Sequence, residues 1–202
     1  MSRCFAIELK KSFIFKPKEI KMFFTKEALH NINTIGSIQP GSKYLIEKCL
    51  KDVEFKRDQI ILEFGSGNGN FTAEILKRIP KSTQLISFET NKKFFEHCLE
   101  KFKSHDNFKI HNCSAEKFNQ LSEIKEKKVD YVISSLPLSL LKKELITSIV
   151  QKVKYHLKPN GCFIQYQYSF GKYLFLRNNF NDVKLNFVVR NLPPSFIYKC
   201  YK

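Results

Sequence analysis

Short apolar runs alternate with longer amphipathic stretches along most of this chain. Runs of five to seven apolar residues are typical of buried strands, whereas apolar positions three and four apart are typical of helices. Strands are predicted over residues 59–64, 83–88, 108–112, 129–134 and 162–168. Helices are predicted over 70–79, 92–103, a short stretch from 115, 141–157 and 171–178. Alternation of this length favours a parallel sheet with helices on both faces.

The last part of the chain departs from this alternation. Residues 183–190 and 196–201 form two strand-like segments around a turn at 191–195, which predicts an antiparallel hairpin. The pattern as a whole predicts an α/β fold: a doubly wound, Rossmann-like sheet of seven mostly parallel strands that ends in this hairpin. Ligands of such sheets bind beyond the carboxyl ends of the strands.

The first 52 residues are predicted to form a helical extension of the same domain, with the sheet domain over 53–202. Helices are predicted over 17–31 and 42–51. In the first of them the apolar side is formed by Ile20, Phe23, Phe24 and Ala28, and the basic side by Lys18, Lys21 and Lys26. This helix is predicted either to lie on an anionic bilayer or to pack on the sheet.

Charge is the strongest signal in the composition. The 202 residues carry 35 Lys and Arg against 19 Asp and Glu, a formal net charge of +16. Such an excess attracts polyanions, either nucleic acid or an anionic membrane surface, although a generally basic soluble surface is the alternative. The six cysteines form no C-x-x-C pair, which predicts free thiols in a reducing cytoplasm and no metal site. We expect no secretory signal and no membrane-spanning run.

A glycine-rich loop follows the first predicted strand directly. It reads Glu-Phe-Gly-Ser-Gly-Asn-Gly-Asn over residues 63–70, with glycines at 65, 67 and 69. Glycine lets the backbone turn sharply and approach a ligand, and the following helix offers free N–H groups. Asn70 stands where a dinucleotide-binding loop would have its third glycine, so that motif is not matched.

A carboxylate lies at the end of the second predicted strand. Glu89 follows Gly69 by 20 residues, the place where doubly wound nucleotide-binding proteins have an acid that binds the ribose hydroxyls. A solvated acid at a strand end is the alternative. The combination of the loop and Glu89 favours a nucleoside ligand.

These two segments resemble known motifs. Residues 61–72, ILEFGSGNGNFT, and 87–91, SFETN, are similar to the first two motifs of class I S-adenosylmethionine-dependent methyltransferases, and residues 113–116 occupy the place of the third. The resemblance implies that the loop wraps the methionine part, Glu89 holds the ribose and Ser114 lies near the adenine. The residues it assigns to the cofactor, whose product is S-adenosylhomocysteine, are Glu63, Gly65, Ser66, Gly67, Gly69, Glu89, Thr90, Ser114, Ala115 and Ser134.

The loop after the fourth strand is expected to face the transferred methyl group. It reads Ser-Ser-Leu-Pro-Leu over 134–138. Adenine and amide N-methyltransferases resemble one another at this point, with Asn or Asp, two prolines and an aromatic residue that together hold a planar amino group. The single proline and the lack of an aromatic residue here suit a planar nitrogen poorly.

A second resemblance covers residues 23–201. FFTKEALHNINTIGSIQP (23–40), SSLPL (134–138), PNGCFIQYQY (159–168) and RNLPPSFIY (190–198) are similar to segments of small, soluble bacterial phosphatidylethanolamine N-methyltransferases, with Gly41 and Gln167 as departures. The resemblance implies methylation of a phospholipid amine by a cytoplasmic enzyme bound peripherally to the inner face of the cell membrane.

Candidate acceptor-side residues follow from this resemblance and from chemistry. Tyr166 and Tyr168, which alternation places on one face, are predicted to attract a methylated ammonium, or alternatively to pack the strand. Leu136 and Pro137 are predicted to line the reaction site. The residues predicted to contact lipid or membrane are Lys18, Lys21, Phe23, Phe24, Lys26, Ser42 and Arg190.

Two other functions stay open. One is an RNA adenine methyltransferase, which the charge suits but which is expected to carry a further helical domain after the sheet. The other is a non-catalytic basic protein that docks on RNA or membrane, against which the intact glycine loop and Glu89 speak. A tyrosine, His30 or a water path is a candidate to accept the proton of the substrate ammonium.

Overall fold

A computed structural model describes residues 42–191 and 193–202. The predicted helix over 17–31, and with it Lys18, Lys21, Phe23, Phe24, Lys26 and His30, lies outside the described residues. The division of the chain at residue 52 stays a prediction.

The described strands form one seven-stranded sheet, and the predicted fold class is confirmed. The strands are β1 (Ile60–Phe64), β2 (Gln84–Phe88), β3 (Phe108–His111), β4 (Val129–Ser134), β5 (Leu157–Gln167), β6 (Asp182–Val188) and β7 (Ser195–Tyr201). Their order across the sheet is β3-β2-β1-β4-β5-β7-β6, with β1 to β5 parallel and β7 antiparallel to both β5 and β6. The chain reverses direction across the sheet between β1 and β4, so their carboxyl ends open the crevice in which ligands of this architecture bind.

Helices cover the sheet on both faces. They are α1 (Lys43–Leu50), α2 (Asn70–Leu76), α3 (Lys92–Lys101), a 3₁₀ helix (Ala115–Gln120), α4 (Lys143–His156) and α5 (Tyr173–Asn179). One buried core lies beneath α1, α2 and α3, and the other lies beneath the 3₁₀ helix, α4 and α5. Strand alternation sends successive side chains into these two cores. Among the described helices, none has the length and apolar character needed to cross a bilayer.

Strand β5 begins five residues earlier than predicted. Val129 pairs with Leu157 but Tyr131 pairs with Cys162, so four residues of β5 bulge out of the ladder. The sequence Pro-Asn-Gly at 159–161, between the predicted helix over 141–157 and the predicted strand over 162–168, has the form of a break between the two. It lies inside the bulge, where a proline without an N–H is tolerated. A Cβ at Gly161 would lie 3.0 Å from the carbonyl oxygen of Asp130, so the close approach of β4 requires glycine.

Candidate active site

The glycine loop turns in a backbone conformation that other residues rarely adopt. Gly65, Gly67 and Gly69 have φ angles of +79°, +52° and +80°. A Cβ at Gly65 would lie 2.5 Å from Ser135 Oγ, and one at Gly69 would lie 2.6 Å from the Phe102 ring. A Cβ at Gly67 would meet nothing within 4 Å. The outer two glycines therefore allow close packing, whereas the middle one borders open space that a ligand can fill.

Glu89 joins the tip of β2 to this loop. Its Oε2 accepts a hydrogen bond from the Gly67 N–H at 2.9 Å, and its Oε1 accepts one from the Asn91 N–H at 2.8 Å. A carboxylate oxygen accepts two hydrogen bonds, so each oxygen retains one acceptor site. The two backbone donors fix the carboxylate at the loop with capacity left for a ribose diol.

Glu63 lies at the root of the loop and is fully buried. Its Oε2 accepts hydrogen bonds from Thr72 Oγ1 at 2.7 Å and Ser87 Oγ at 2.5 Å, whereas its Oε1 has no partner among the described atoms. Burial raises the pKa of this carboxyl to about 7, and the hydroxyls of Ser87 and Thr72 oppose the rise. An unsatisfied buried acceptor fits a positively charged ligand group, and the ammonium of S-adenosylmethionine is such a group.

The predicted adenine side lies beyond β3. Ser114 caps the 3₁₀ helix, where its Oγ accepts a hydrogen bond from the Glu116 N–H at 3.3 Å, and Ala115 is buried in the core. The Asn112 amide donates to the carbonyl oxygens of Glu89 at 2.8 Å and Thr90 at 3.3 Å. The segment is thereby fixed beside Glu89, and the roles of Thr90, Ser114 and Ala115 toward adenine stay predictions.

The acceptor loop at 134–138 is bonded directly to the glycine loop. The Ser135 N–H donates to Phe64 O at 2.9 Å, and its Oγ donates to Gly65 O at 2.6 Å. Ser134 turns its Oγ toward the Leu136 N–H at 3.3 Å. The two loops therefore form one rigid unit at the carboxyl edge of β1 and β4.

Two glutamines of β5, which the sequence motifs do not mark as site residues, are bonded to the middle of the acceptor loop. Gln165 and Gln167 donate from Nε2 to the Leu136 carbonyl at 3.1 and 2.7 Å. Both side chains are buried, and both also donate to the Tyr166 carbonyl. The signal in the sequence was two amides at alternate positions of an otherwise apolar strand. These donors occupy the Leu136 carbonyl, so that atom is not left for a substrate amine.

The two tyrosines lie on one face of β5, as alternation predicts, but differ in exposure. The ring of Tyr166 is buried and stacks on Phe71 with centroids 5.5 Å apart and planes at 7°. Tyr168 follows the strand, is half-buried and lies 6.2 Å from Tyr166. The stacked ring of Tyr166 serves packing, which leaves Tyr168 as the better placed ring for a cation. Burial raises the pKa of both phenols, so neither is an effective proton acceptor at neutral pH.

Ser42 and Arg190 lie near the first turn of α1. The Ser42 Oγ caps this helix by accepting from the Leu45 N–H at 3.2 Å, and its own N–H donates to Asn191 Oδ1 at 3.3 Å. Arg190 is exposed, with its guanidinium 5.8 Å from the centre of the Tyr44 ring. Ser42 thus has a structural role, whereas Arg190 stays a candidate for binding an anion.

The described residues show neither a disulfide nor a metal site. The five cysteines in this part of the chain are free thiols, and no group of three His, Cys, Asp or Glu side chains within it is arranged to hold a metal ion.

Comparisons with known proteins place this geometry in a family. Residues 61–161 match the family described as "Methyltransferase domain". The chain is 28% identical to an ornithine lipid N-methyltransferase of Singulisphaera acidiphila, over 91% of this chain and 96% of that protein. It is also 29% identical to an rRNA adenine N-6-methyltransferase of Lysinibacillus sphaericus, over 66% of this chain and 50% of that protein.

Solved structures share the fold. A precorrin-6y C5,15-methyltransferase from Geobacter metallireducens superposes with a TM-score of 0.63 at 14% identity, over 79% of this chain and 87% of that one. A mycolic acid cyclopropane synthase complexed with SAH has a TM-score of 0.50 at 14% identity, over 60% and 40% of the two chains. The chain belongs to the methyltransferase-domain family, and it is a methyltransferase that uses S-adenosylmethionine as methyl donor.

Proposed function

We propose that this enzyme methylates the amine headgroup of a membrane phospholipid, phosphatidylethanolamine in the first instance, toward phosphatidylcholine. The observation that carries the proposal is the acceptor loop. Leu136 and Pro137 offer partly buried apolar side chains, Leu138 is buried in the core, and the Leu136 carbonyl already accepts from Gln165 and Gln167. The loop has no aromatic ring to hold a planar nucleobase and its Leu136 carbonyl is occupied, so it suits a flexible amine on an apolar molecule.

The comparisons support an aminolipid. The similarity to the ornithine lipid N-methyltransferase extends over nearly the whole of both chains, whereas the rRNA adenine methyltransferase is matched over half of its length. An ornithine lipid and phosphatidylethanolamine both present a primary amine at a membrane surface. The net charge of +16 favours an anionic surface, so we place the enzyme peripherally on the cytoplasmic face of the cell membrane.

The residues of the crevice act by positioning. Glu89 would hold the ribose of the cofactor, and Glu63 would balance its ammonium group. When bound, S-adenosylmethionine supplies an activated methyl group, so catalysis consists mainly of bringing the amine lone pair in line with it. Ser135 helps because it ties the acceptor loop to the glycine loop at 2.6 Å. The amine must arrive without its extra proton. The raised pKa values of Tyr166 and Tyr168 exclude these two phenols as the proton acceptor, so a water path or His30, which lies outside the described residues, would take the proton.

The test is incubation with methyl-labelled cofactor and one of three acceptors: phosphatidylethanolamine vesicles, ornithine lipid vesicles or ribosomal RNA. We expect label in lipid, and we expect Glu89→Ala to lower it in parallel with cofactor affinity. Label in ornithine lipid alone would show that the headgroup is not that of phosphatidylethanolamine, but the substrate would still be an aminolipid. Label in RNA alone would refute the proposal in favour of the second candidate, an rRNA adenine methyltransferase, which the rRNA relatives and the charge favour.

A further inference from the structure

Four aromatic rings form a continuous row on the surface near the end of the chain. Tyr173 stacks on Phe170 with centroids 5.2 Å apart, Phe170 meets Phe196 at 5.8 Å, and Phe196 meets Phe187 at 4.8 Å. We call this row the aromatic ladder. It joins the start of α5 to the β6–β7 hairpin.

The ladder begins beside the acceptor loop. Gln167 pairs with Phe196 across β5 and β7, and Phe196 pairs with Phe187 across β7 and β6. Paired residues of antiparallel strands direct their side chains to the same face of the sheet. Since Gln167 donates to the Leu136 carbonyl, the ladder extends from the acceptor loop to the outer edge of the sheet.

Much of this surface is apolar and exposed to solvent. Phe170 and Phe187 are 49% and 52% exposed, and their neighbours in sequence Leu174 and Val189 are 69% and 61% exposed. Four of the seven large apolar side chains that are exposed in the described residues therefore lie within one stretch of 20 residues. A concentration of this kind marks a surface that binds an apolar partner.

Two cations adjoin the ladder at α5: Lys172, which precedes Tyr173, and Arg177. Over residues 168–202, the sequence has six Lys and Arg and a single acid, Asp182. The Arg177 guanidinium lies at one end of the ladder, where it donates to the Tyr173 hydroxyl at 3.2 Å. Neither Arg177 nor Lys172 forms an ion pair with another described residue. Exposed aromatic and aliphatic groups beside unpaired cations match an anionic lipid interface.

We propose that the aromatic ladder, with Leu174 and Val189, inserts into an anionic bilayer and sets the acceptor loop at the depth of the lipid headgroups. The proposal deepens the proposed function and rests on it for the substrate, but insertion is measured without any methyl transfer. Leu174 and Val189 have no ring to stack on a base, so the surface favours lipid over single-stranded RNA.

The test measures how strongly the unmodified protein and its variants bind to vesicles made of phosphatidylethanolamine and phosphatidylglycerol. The double variant carries Phe170→Ser and Phe187→Ser. The matched control is Tyr155→Ser, an exposed ring on α4 that also lies beside a lysine: it is 67% exposed, and Lys128 Nζ is 3.9 Å from its centroid. Lys128 precedes β4 and the acceptor loop follows it, so this control lies at the opposite end of the strands from the acceptor loop. We expect partition to fall at least tenfold in the double variant and less than twofold in the control, with the same calorimetric affinity for S-adenosylmethionine in both.

Each alternative result has a distinct meaning. Leu174→Ser, which changes the most exposed of these side chains, keeps the test valid if the double variant does not fold, and we expect it to lower partition severalfold. Unchanged partition in the folded variants, an equal loss in Tyr155→Ser, or no vesicle binding by the unmodified protein would overturn the proposal. Loss of RNA binding without loss of vesicle binding would also overturn it. Vesicle binding through the ladder without lipid methylation would instead refute only the proposed function.

Discussion

Glu63 offers a quantitative test of the cofactor site, because a buried carboxylate with an unsatisfied oxygen leaves a signature in the pH dependence of stability. The raised pKa, about 7 against an ordinary 4.5, means that the folded protein keeps this proton over a range in which the unfolded chain has lost it. The free energy of unfolding therefore falls as pH rises from about 4.5 to about 7 and then stays at the lower level. A shift of about 2.5 units at 1.36 kcal/mol each corresponds to about 3 kcal/mol.

The perturbation is Glu63→Gln, which keeps the shape of the side chain and removes the titration. We expect the variant to gain about 3 kcal/mol relative to the unmodified protein between pH 4.5 and pH 8, measured by urea unfolding at a series of pH values without cofactor. Subtracting the two curves cancels the titrations that both proteins share. Glu96→Gln is the control, because Glu96 is an exposed glutamate on α3.

Glu63→Gln should weaken cofactor binding, although it stabilises the fold at neutral pH. In the proposed site the ionised Glu63 balances the cofactor ammonium at pH 8, so we expect Glu63→Gln to bind S-adenosylmethionine at least tenfold more weakly by calorimetry. Parallel unfolding curves for Glu63→Gln and the unmodified protein would refute the account of its burial. Unchanged affinity would refute its place in the site.

Three further predictions concern the two loops. Gly67→Ala should mainly weaken S-adenosylmethionine binding, because its Cβ enters the open crevice. Gly69→Ala should lower the free energy of unfolding in urea by on the order of 2 kcal/mol, because its Cβ meets Phe102. Equal losses of stability in the two variants would contradict this distinction. Glu89→Ala should reduce calorimetric cofactor affinity, and an unchanged value would remove the ribose assignment. Gln167→Leu should lower kcat about tenfold with an unchanged cofactor affinity, because the Leu136 carbonyl loses its shorter amide donor; an effect on affinity alone would contradict a role in positioning the acceptor loop.

The parts of the fold that the sequence predicted are those that depend on local pattern. The patterns along the chain predicted all seven strands. The glycine loop and the strand-end acid, which the sequence assigns to one ligand, lie side by side, with the Gly67 N–H 2.9 Å from the Glu89 carboxylate. The start of β5 was wrong because the turn signal of Pro159 to Gly161 has the same form in a strand bulge as in a helix end. Local pattern cannot distinguish the two, since the pairing of Val129 with Leu157 decides between them.

The supporting contacts of the site could not be predicted because they join segments far apart in sequence. The hydroxyls of Thr72 and Ser87 meet on Glu63, and nothing in their own segments marks them as partners of a carboxylate. The stacking of Tyr166 on Phe71 is of the same kind, since strand alternation gives the face of a side chain but not its neighbour on the covering helix.

The hydrogen bond from Ser42 to Asn191 spans 149 positions in the sequence, and the same amide also donates to Ser195. During synthesis on the ribosome, the glycine loop, Glu89 and the acceptor loop have all emerged before Asn191 is made. Contacts of such long sequence separation form late, because the loops that they close are entropically costly. We therefore expect a nascent chain to bring the glycine loop, Glu89 and the acceptor loop together before α1 is joined to Asn191, so that it can bind the methyl donor before its fold is complete.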